Sequence, residues 1–115
     1  MWVMTLDGFY SAVESKVDPS CLTVRCRTEQ DAERLADAVG RTVEHTPDRD
    51  YHWRVLVPRS AWGEYLTDAV RAIDYDNFKH EVGARQGRRR AGVYGEVWAD
   101  LLSLQYDPEF SRRSV

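Results

Sequence analysis

A chain of 115 residues, 43% apolar and 30% charged, can bury one core without disulfides or metals, and its composition excludes wholesale disorder. The formal charge of −3 excludes a global drive toward nucleic acid or anionic membrane. One α+β domain is expected over residues 1–106, with a flexible tail over residues 107–115 that only Phe110 could anchor.

Residues 1–6 and 9–14 are β-rich runs flanking Asp7-Gly8, a dipeptide suited to the positive φ angles of a two-residue type I′ hairpin turn. The first run has no basic leader segment and is not read as a signal peptide. No apolar stretch approaches membrane-spanning length, so no membrane contact is expected. A turn at residues 17–20 leads to a third strand, residues 21–27, in which Leu22, Val24 and Cys26 alternate with Thr23, Arg25 and Arg27. Cys21 and Cys26 fall on opposite faces of that strand and cannot pair with each other. They read as free thiols, Cys26 inward and Cys21 outward, in keeping with a reducing cytoplasm.

Thr28 is placed to cap a first helix, whose Ala32, Leu35, Ala36 and Val39 form one apolar stripe and whose end Gly40 marks. A short strand at residues 41–45 and a turn at residues 46–50 precede a long strand at residues 51–57. Tyr51, Trp53, Val55 and Val57 should face inward there, with His52, Arg54 and Leu56 outward. Pro58 stops this strand and Ser60 can cap a second helix, with Trp62, Tyr65, Leu66, Ala69, Val70 and Ile73 at helical spacing. Asp74-Tyr75-Asp76-Asn77 breaks the pattern. A short helix with Phe78 and Val82 follows, capped by Asp76. A last helix carries Tyr94, Val97, Trp98, Leu101, Leu102 and Gln105 along one face.

From the third strand to the second helix the order is β-α-β-β-α, the opening of a ferredoxin-like fold. The second strand, joined by a short turn, can fill that fold's missing edge position. The expectation is an antiparallel five-stranded sheet of order 1-2-3-5-4, a permuted ferredoxin-like sheet. Helices should cover its Leu22/Val24/Trp53/Val55 face, with a C-terminal helical pair beyond.

Several strings recur together: Met1-Trp2-Val3 with Gly8-Phe9-Tyr10-Ser11, Asp18-Pro19, Val24-Arg25-Cys26-Arg27, and Asp50-Tyr51-His52-Trp53-Arg54. Farther along stand Ile73-Asp74-Tyr75-Asp76-Asn77-Phe78-Lys79 and Tyr94-Gly95-Glu96-Val97-Trp98. With these the chain resembles, over nearly its whole length, a family of small uncharacterised proteins of high-GC bacteria and their phages. The resemblance implies a shared fold and a cytoplasmic setting, and no activity.

Four constellations carry chemistry worth weighing. Arg25, Arg27, His52 and Arg54 share the outward sheet face, with Tyr10 or Phe9 beside them. Guanidinium groups tracking phosphates beside stacking rings are how RRM-type modules hold single-stranded nucleic acid. No RNP-like string accompanies them, and a solvated face with arginines paired to carboxylates is the bland alternative. Arg85, Arg88, Arg89 and Arg90 form a basic run that could bind phosphate, or could simply end a helix where cations favour the macrodipole. The high Arg content, 14 against 2 Lys, also fits GC-rich codon usage. Asp74, Asp76, His80 and Glu81 could hold a divalent metal or act as acid and base, but without EF-hand or zincin spacing. Finally, four Trp and six Tyr exceed the obvious needs of one core, and aromatics with Arg are enriched at interface hot spots.

The reading that follows is a non-enzymatic binding or regulatory domain acting through protein contacts, including a homodimer through the first strand's edge. The alternative is a nucleic-acid-binding module using Tyr10, Arg25, Arg27, His52, Arg54, Arg88, Arg89 and Arg90. The third is a metal-dependent hydrolase at Asp74, Asp76 and His80. No cofactor is expected.

Overall fold

The computed structural model describes residues 1–111. The chain divides at the polar Asp74–Asn77 junction into two compact units, Met1–Asp74 and Tyr75–Val115.

The first unit is an antiparallel sheet of β1 (Trp2–Met4), β2 (Phe9–Glu14), β3 (Cys21–Cys26), β4 (Val43–His45) and β5 (Trp53–Pro58) in the order β1-β2-β3-β5-β4. Helices α1 (Glu29–Val39) and α2 (Arg59–Arg71) lie on one face. The β3-α1-β4-β5-α2 run with β2 beside β3 is the expected permuted ferredoxin-like arrangement. Period-2 alternation makes it work. Tyr10, Ala12, Val24, Cys26, Val55 and Val57 all reach the helix side, where Leu35 and Ala36 of α1 and Trp62 and Tyr65 of α2 close the core.

The expected caps of α1 are present: the Thr28 hydroxyl accepts from Asp31 N–H, and Gly40 sits in the left-handed region at φ 67°. Helix α2 departs from expectation. It starts at Arg59, directly after Pro58, and no side chain caps it. Only its first two turns are buried against the sheet, so Val70 and Ile73 are exposed despite their helical spacing.

The β1–β2 hairpin forms, with Met4 opposite Phe9, but its connection spans residues 5–8. It is not the expected type I′ turn, because neither Asp7 nor Gly8 has positive φ. The Thr5 hydroxyl accepts from Asp7 N–H at 3.1 Å, and Thr5 N–H donates to Gly8 O at 2.9 Å. A side chain thus captures the turn that Asp-Gly was expected to make with backbone alone.

Strand β4 begins at Val43 rather than residue 41, because Arg41 N–H still serves the C-terminal end of α1 by donating to Ala36 O. Strand β5 begins at Trp53 rather than residue 51. Tyr51 lies in a bend and is not part of the helix-side core, which corrects its expected inward position. Both cysteines are free; Cys26 is in the core, and Cys21, expected outward, is buried too, its thiol directed to Asp18.

The second unit consists of α3 (Phe78–Gln86), α4 (Arg88–Leu101), α5 (Ser103–Tyr106) and α6 (Pro108–Ser111). Gly87, at φ 95°, turns the chain between α3 and α4, a conformation that favours glycine. Val82 and Tyr94 are buried between the two helices, with Phe78 stacked on Tyr94 at 6.0 Å. The cap of α3 is Asn77, whose side chain accepts from His80 N–H at 2.9 Å, and not Asp76. Of the tail expected from residue 107, Pro108–Ser111 form a short helical turn, and residues 112–115 lie outside the described residues. Among the described residues no helix is long and apolar enough to cross a membrane.

Candidate binding surfaces

The sheet face opposite α1 and α2 carries a cross-strand row fixed by the register: Trp2, Ser11, Arg25, Arg54 and Glu44 lie side by side. Arg25 and Arg54, two of the expected phosphate contacts, therefore do meet there. Tyr10 does not: it has no solvent exposure and sits on the helix side, where its hydroxyl donates to Asp31 O at 2.9 Å. The aromatics on the open face are Phe9 and Trp2, ring centroids 6.1 Å apart, and Tyr51.

The arginines of this face are occupied. Arg25 Nη2 donates to Ser11 Oγ at 2.7 Å, and its guanidinium lies 4.7 Å from the Tyr51 ring centre. Arg27 stacks on the same ring at 3.9 Å and donates to Asp50 O at 2.8 Å. Arg54 reaches Thr46 Oγ1 at 3.3 Å and the Asp50 carboxylate at 3.4 Å. Thr46 Oγ1 in turn donates to Tyr51 O at 2.9 Å, and Thr46 N–H donates to His52 O at 2.7 Å. The result is a clamp that fastens the 46–52 loop across the sheet. Asp50 is held below the usual carboxylate range, first by the Tyr51 N–H it accepts and then by the nearby Arg25 and Arg54 charges. Tyr51 is buried, so its ring is not open to a stacking base. His52, also expected on this face, is exposed.

A second polar cluster, missed in the sequence, lies beneath the β1–β2 hairpin. The Asp31 carboxylate is fully buried. It accepts from Phe9 N–H at 3.1 Å and pairs with Arg34 at 3.3 Å. Arg34 Nε also donates to Asp7 O at 2.7 Å. Tyr65 OH donates to the Asp7 carboxylate at 2.8 Å and lies 2.9 Å from Thr5 Oγ1. Burial pushes the Tyr10 and Tyr65 phenols well above their ordinary range. The paired geometry makes this cluster a fastening of the hairpin onto α1 and α2, not an acid–base site. Thr28 was legible as a cap; the burial of the Asp31 carboxylate was not.

The second unit exposes different chemistry. Arg85 stands in the last turn of α3, as the bland alternative expects, whereas Arg88, Arg89 and Arg90 open α4 at the positive end of its macrodipole. Arg90 donates to Tyr94 OH at 3.2 Å. Lys79, His80 and Arg88 border a groove of about 610 Å³ whose floor includes Gly83, Gly92 and Gly95. Lys79 Nζ lies 5.3 Å from the Trp98 ring centre. Trp98, expected in a core stripe, is 62% exposed, Val93 56% and Leu101 55%. Leu104, Tyr106 and Phe110 are exposed as well. Helix α4 turns Tyr94 toward α3 and leaves its other apolar face uncovered.

Among the described residues no three His, Cys, Asp or Glu side chains gather as a metal ligand set, so Asp74, Asp76 and His80 do not form one. No family model, curated protein or solved structure matches the chain.

Proposed function

We propose that this protein is a non-enzymatic binding domain acting through protein contacts, with the C-terminal helical unit as the contact element. The observation that carries this reading is the number of large apolar side chains exposed on α4 and α5: Val93, Trp98, Leu101, Leu104 and Tyr106. Monomeric proteins seldom leave so many large apolar groups of one small unit in water, and such patches mark interaction surfaces. Trp2, 75% exposed on edge strand β1, adds a second apolar projection. The two free thiols agree with a cytoplasmic setting. Membership of the bacterial and phage family that the motifs resemble is part of the proposal and adds no activity to it.

The test is the double substitution Leu101→Asp and Leu104→Asp, on side chains that are exposed and leave the α3–α4 core intact. Far-UV circular dichroism should be unchanged, while crosslinking in cells should lose a defined adduct that the wild-type chain forms. Identical adducts from both chains would overturn the reading.

Nucleic-acid binding is the second reading, favoured by Arg88 and Arg89 beside the groove edged with Lys79 and His80. The sheet face does not add to it, because Arg27 and Arg54 hold the 46–52 loop and Arg25 is engaged by Ser11 and the Tyr51 ring. Fluorescence polarisation with a labelled single strand at low salt decides it. Binding should weaken steeply with salt and with Arg88→Ala/Arg89→Ala, and no binding at low salt would end it.

A further inference from the structure

Shape and charge coincide at the groove between α3 and α4. Phe78 stacks on Tyr94, Lys79 Cδ lies beside Gly95, and Ala91 Cβ lies beside Gly83, so the two helices run antiparallel from the Gly87 turn. Three positions at their contact, Gly83, Gly92 and Gly95, carry no side chain and leave a groove of about 610 Å³, a size ordinary for ligand sites. Above Gly92 it is open: nothing but the helix's own backbone lies within 4 Å of the place a Cβ would take.

The charge along this groove has one sign. Arg88 stands at the Gly87 end, Lys79 and His80 at the other, and no carboxylate is among the described residues that line it. The side chains of His80 and Arg88 make no hydrogen bond or ion pair among the described residues. Arg85, outside the groove, is by contrast paired with Glu81 at 3.1 Å. Cations gathered without a counter-charge attract an anion to the cleft between them. Seven residues of helix separate Arg88 from Gly95, beside Lys79, which makes the basic stretch about 10 Å long.

That length limits the anion. Beyond the Lys79 and His80 end come Asp76, just before Asn77, and Asp100, farther along α4. A long phosphate backbone leaving the groove there would run onto carboxylates. An extended peptide with acids at i and i+3 places them about 10 Å apart and stays within the basic stretch. Lys79 Nζ also lies 5.3 Å from the Trp98 ring centre, and the indole is 62% exposed, so an apolar residue beside the acids has a surface to rest on.

We propose that the α3–α4 groove is the docking site for a short acidic segment of the partner protein, with carboxylates at Arg88 at one end and at Lys79 and His80 at the other. This deepens the protein-contact reading above and rests on it. The glycine floor lets the segment's backbone lie between the two basic ends.

Fluorescence polarisation of the full chain tests this with a short labelled peptide that has glutamate at every third position and glycine and leucine between. Binding should saturate, and the same peptide with lysine for glutamate should not bind. Arg88→Glu should weaken binding about tenfold or more, while Arg89→Glu, the same charge change outside the groove lining, should alter it little. Gly92→Leu is the sharpest variant. It changes no charge and fills the groove, and the open space at that position leaves α4 undisturbed. Binding should fall as far as with Arg88→Glu, with far-UV circular dichroism unchanged. No saturable binding of the glutamate peptide, or binding that Gly92→Leu leaves intact, overturns the proposal. A labelled single strand that binds more tightly than the peptide, and is lost in Gly92→Leu, overturns it too and assigns the groove to nucleic acid. Cellular adducts separate this failure from that of the reading beneath it. Adducts that depend on Leu101 and Leu104 but not on Gly92 remove the groove and leave the protein-contact reading standing. Adducts indifferent to all three residues remove both.

Discussion

Gly8 shows how one residue ties a turn to a helix. A Cβ at this position would lie 2.3 Å from Asp31 Cγ and 2.6 Å from its Oδ2, inside any allowed contact. The buried carboxylate receives Phe9 N–H from the same turn, so moving it aside would strand a charge. Gly8→Ala should therefore destabilise the protein by about 1–3 kcal/mol in urea unfolding. Gly63, inside α2 with open space where a methyl group would stand, is the control. Gly63→Ala should stabilise by about 0.5–1 kcal/mol, the helix propensity difference. An unchanged midpoint for Gly8→Ala would show that the hairpin shifts freely.

Cys26 supplies the pH prediction. Burial pushes its thiol from 9.0 up to about 12, with the Asp31 charge adding to the shift. Above its ordinary value the unfolded chain loses this proton while the folded chain keeps it. The folded state then binds more protons, and stability falls as pH rises from about 9 toward 12. The fall starts before the Tyr10 and Tyr65 phenols contribute. Cys26→Ala should flatten the onset between pH 9 and 10 in denaturant titrations, and the same slope in both proteins would refute the assignment.

At the scale of elements, the Arg25–Tyr51–Arg27 stack decides what the open sheet face is for. Arg25→Ala removes the Ser11 hydrogen bond and one guanidinium from the Tyr51 ring, for about 1–2 kcal/mol in total. Amide exchange in residues 46–52 should accelerate in this variant while β2 and β3 stay protected. Uniform acceleration would mean instead that the clamp supports the whole sheet. The strands themselves were legible because alternation and turn chemistry agree along β2, β3 and β5, and connectivity then leaves one economical sheet order. The clamp was not. It depends on where β5 starts, and two residues of lost strand moved Tyr51 from the expected core to the opposite face. The same limit explains Trp98. Helical spacing shows which residues share a face of α4, but not whether the fold supplies anything to cover it. Asp31 stands in the first turn of α1, where an acid suits the helix start, while its burial follows from long-range docking of the hairpin.

For the whole molecule, the division into two compact units separates the buried core from the exposed apolar side chains of α4 and α5. The core is complete within the first unit, since every member of the buried cluster lies between Tyr10 and Tyr65. Among the described residues of the second unit, Val82 and Tyr94 are the buried apolar ones. Helices of 9 and 14 residues with so small a core are marginal in isolation. A fragment of residues 1–74 should therefore unfold cooperatively with the sheet intact, close to the midpoint of the full chain. It should also lose the cellular adducts of the full chain, because it lacks the exposed apolar side chains of α4 and α5. The two edges of the sheet give this experiment its force. Strand β1 places Trp2 and Met4 on an open edge without a charged side chain, whereas β4 carries Glu44 and His45. If residues 1–74 keep those adducts, and Met4→Pro, whose N–H points away from β2, abolishes them, the contacts belong to the β1 edge and not to α4. If the fragment loses them, the C-terminal unit is the element through which this protein meets its partners.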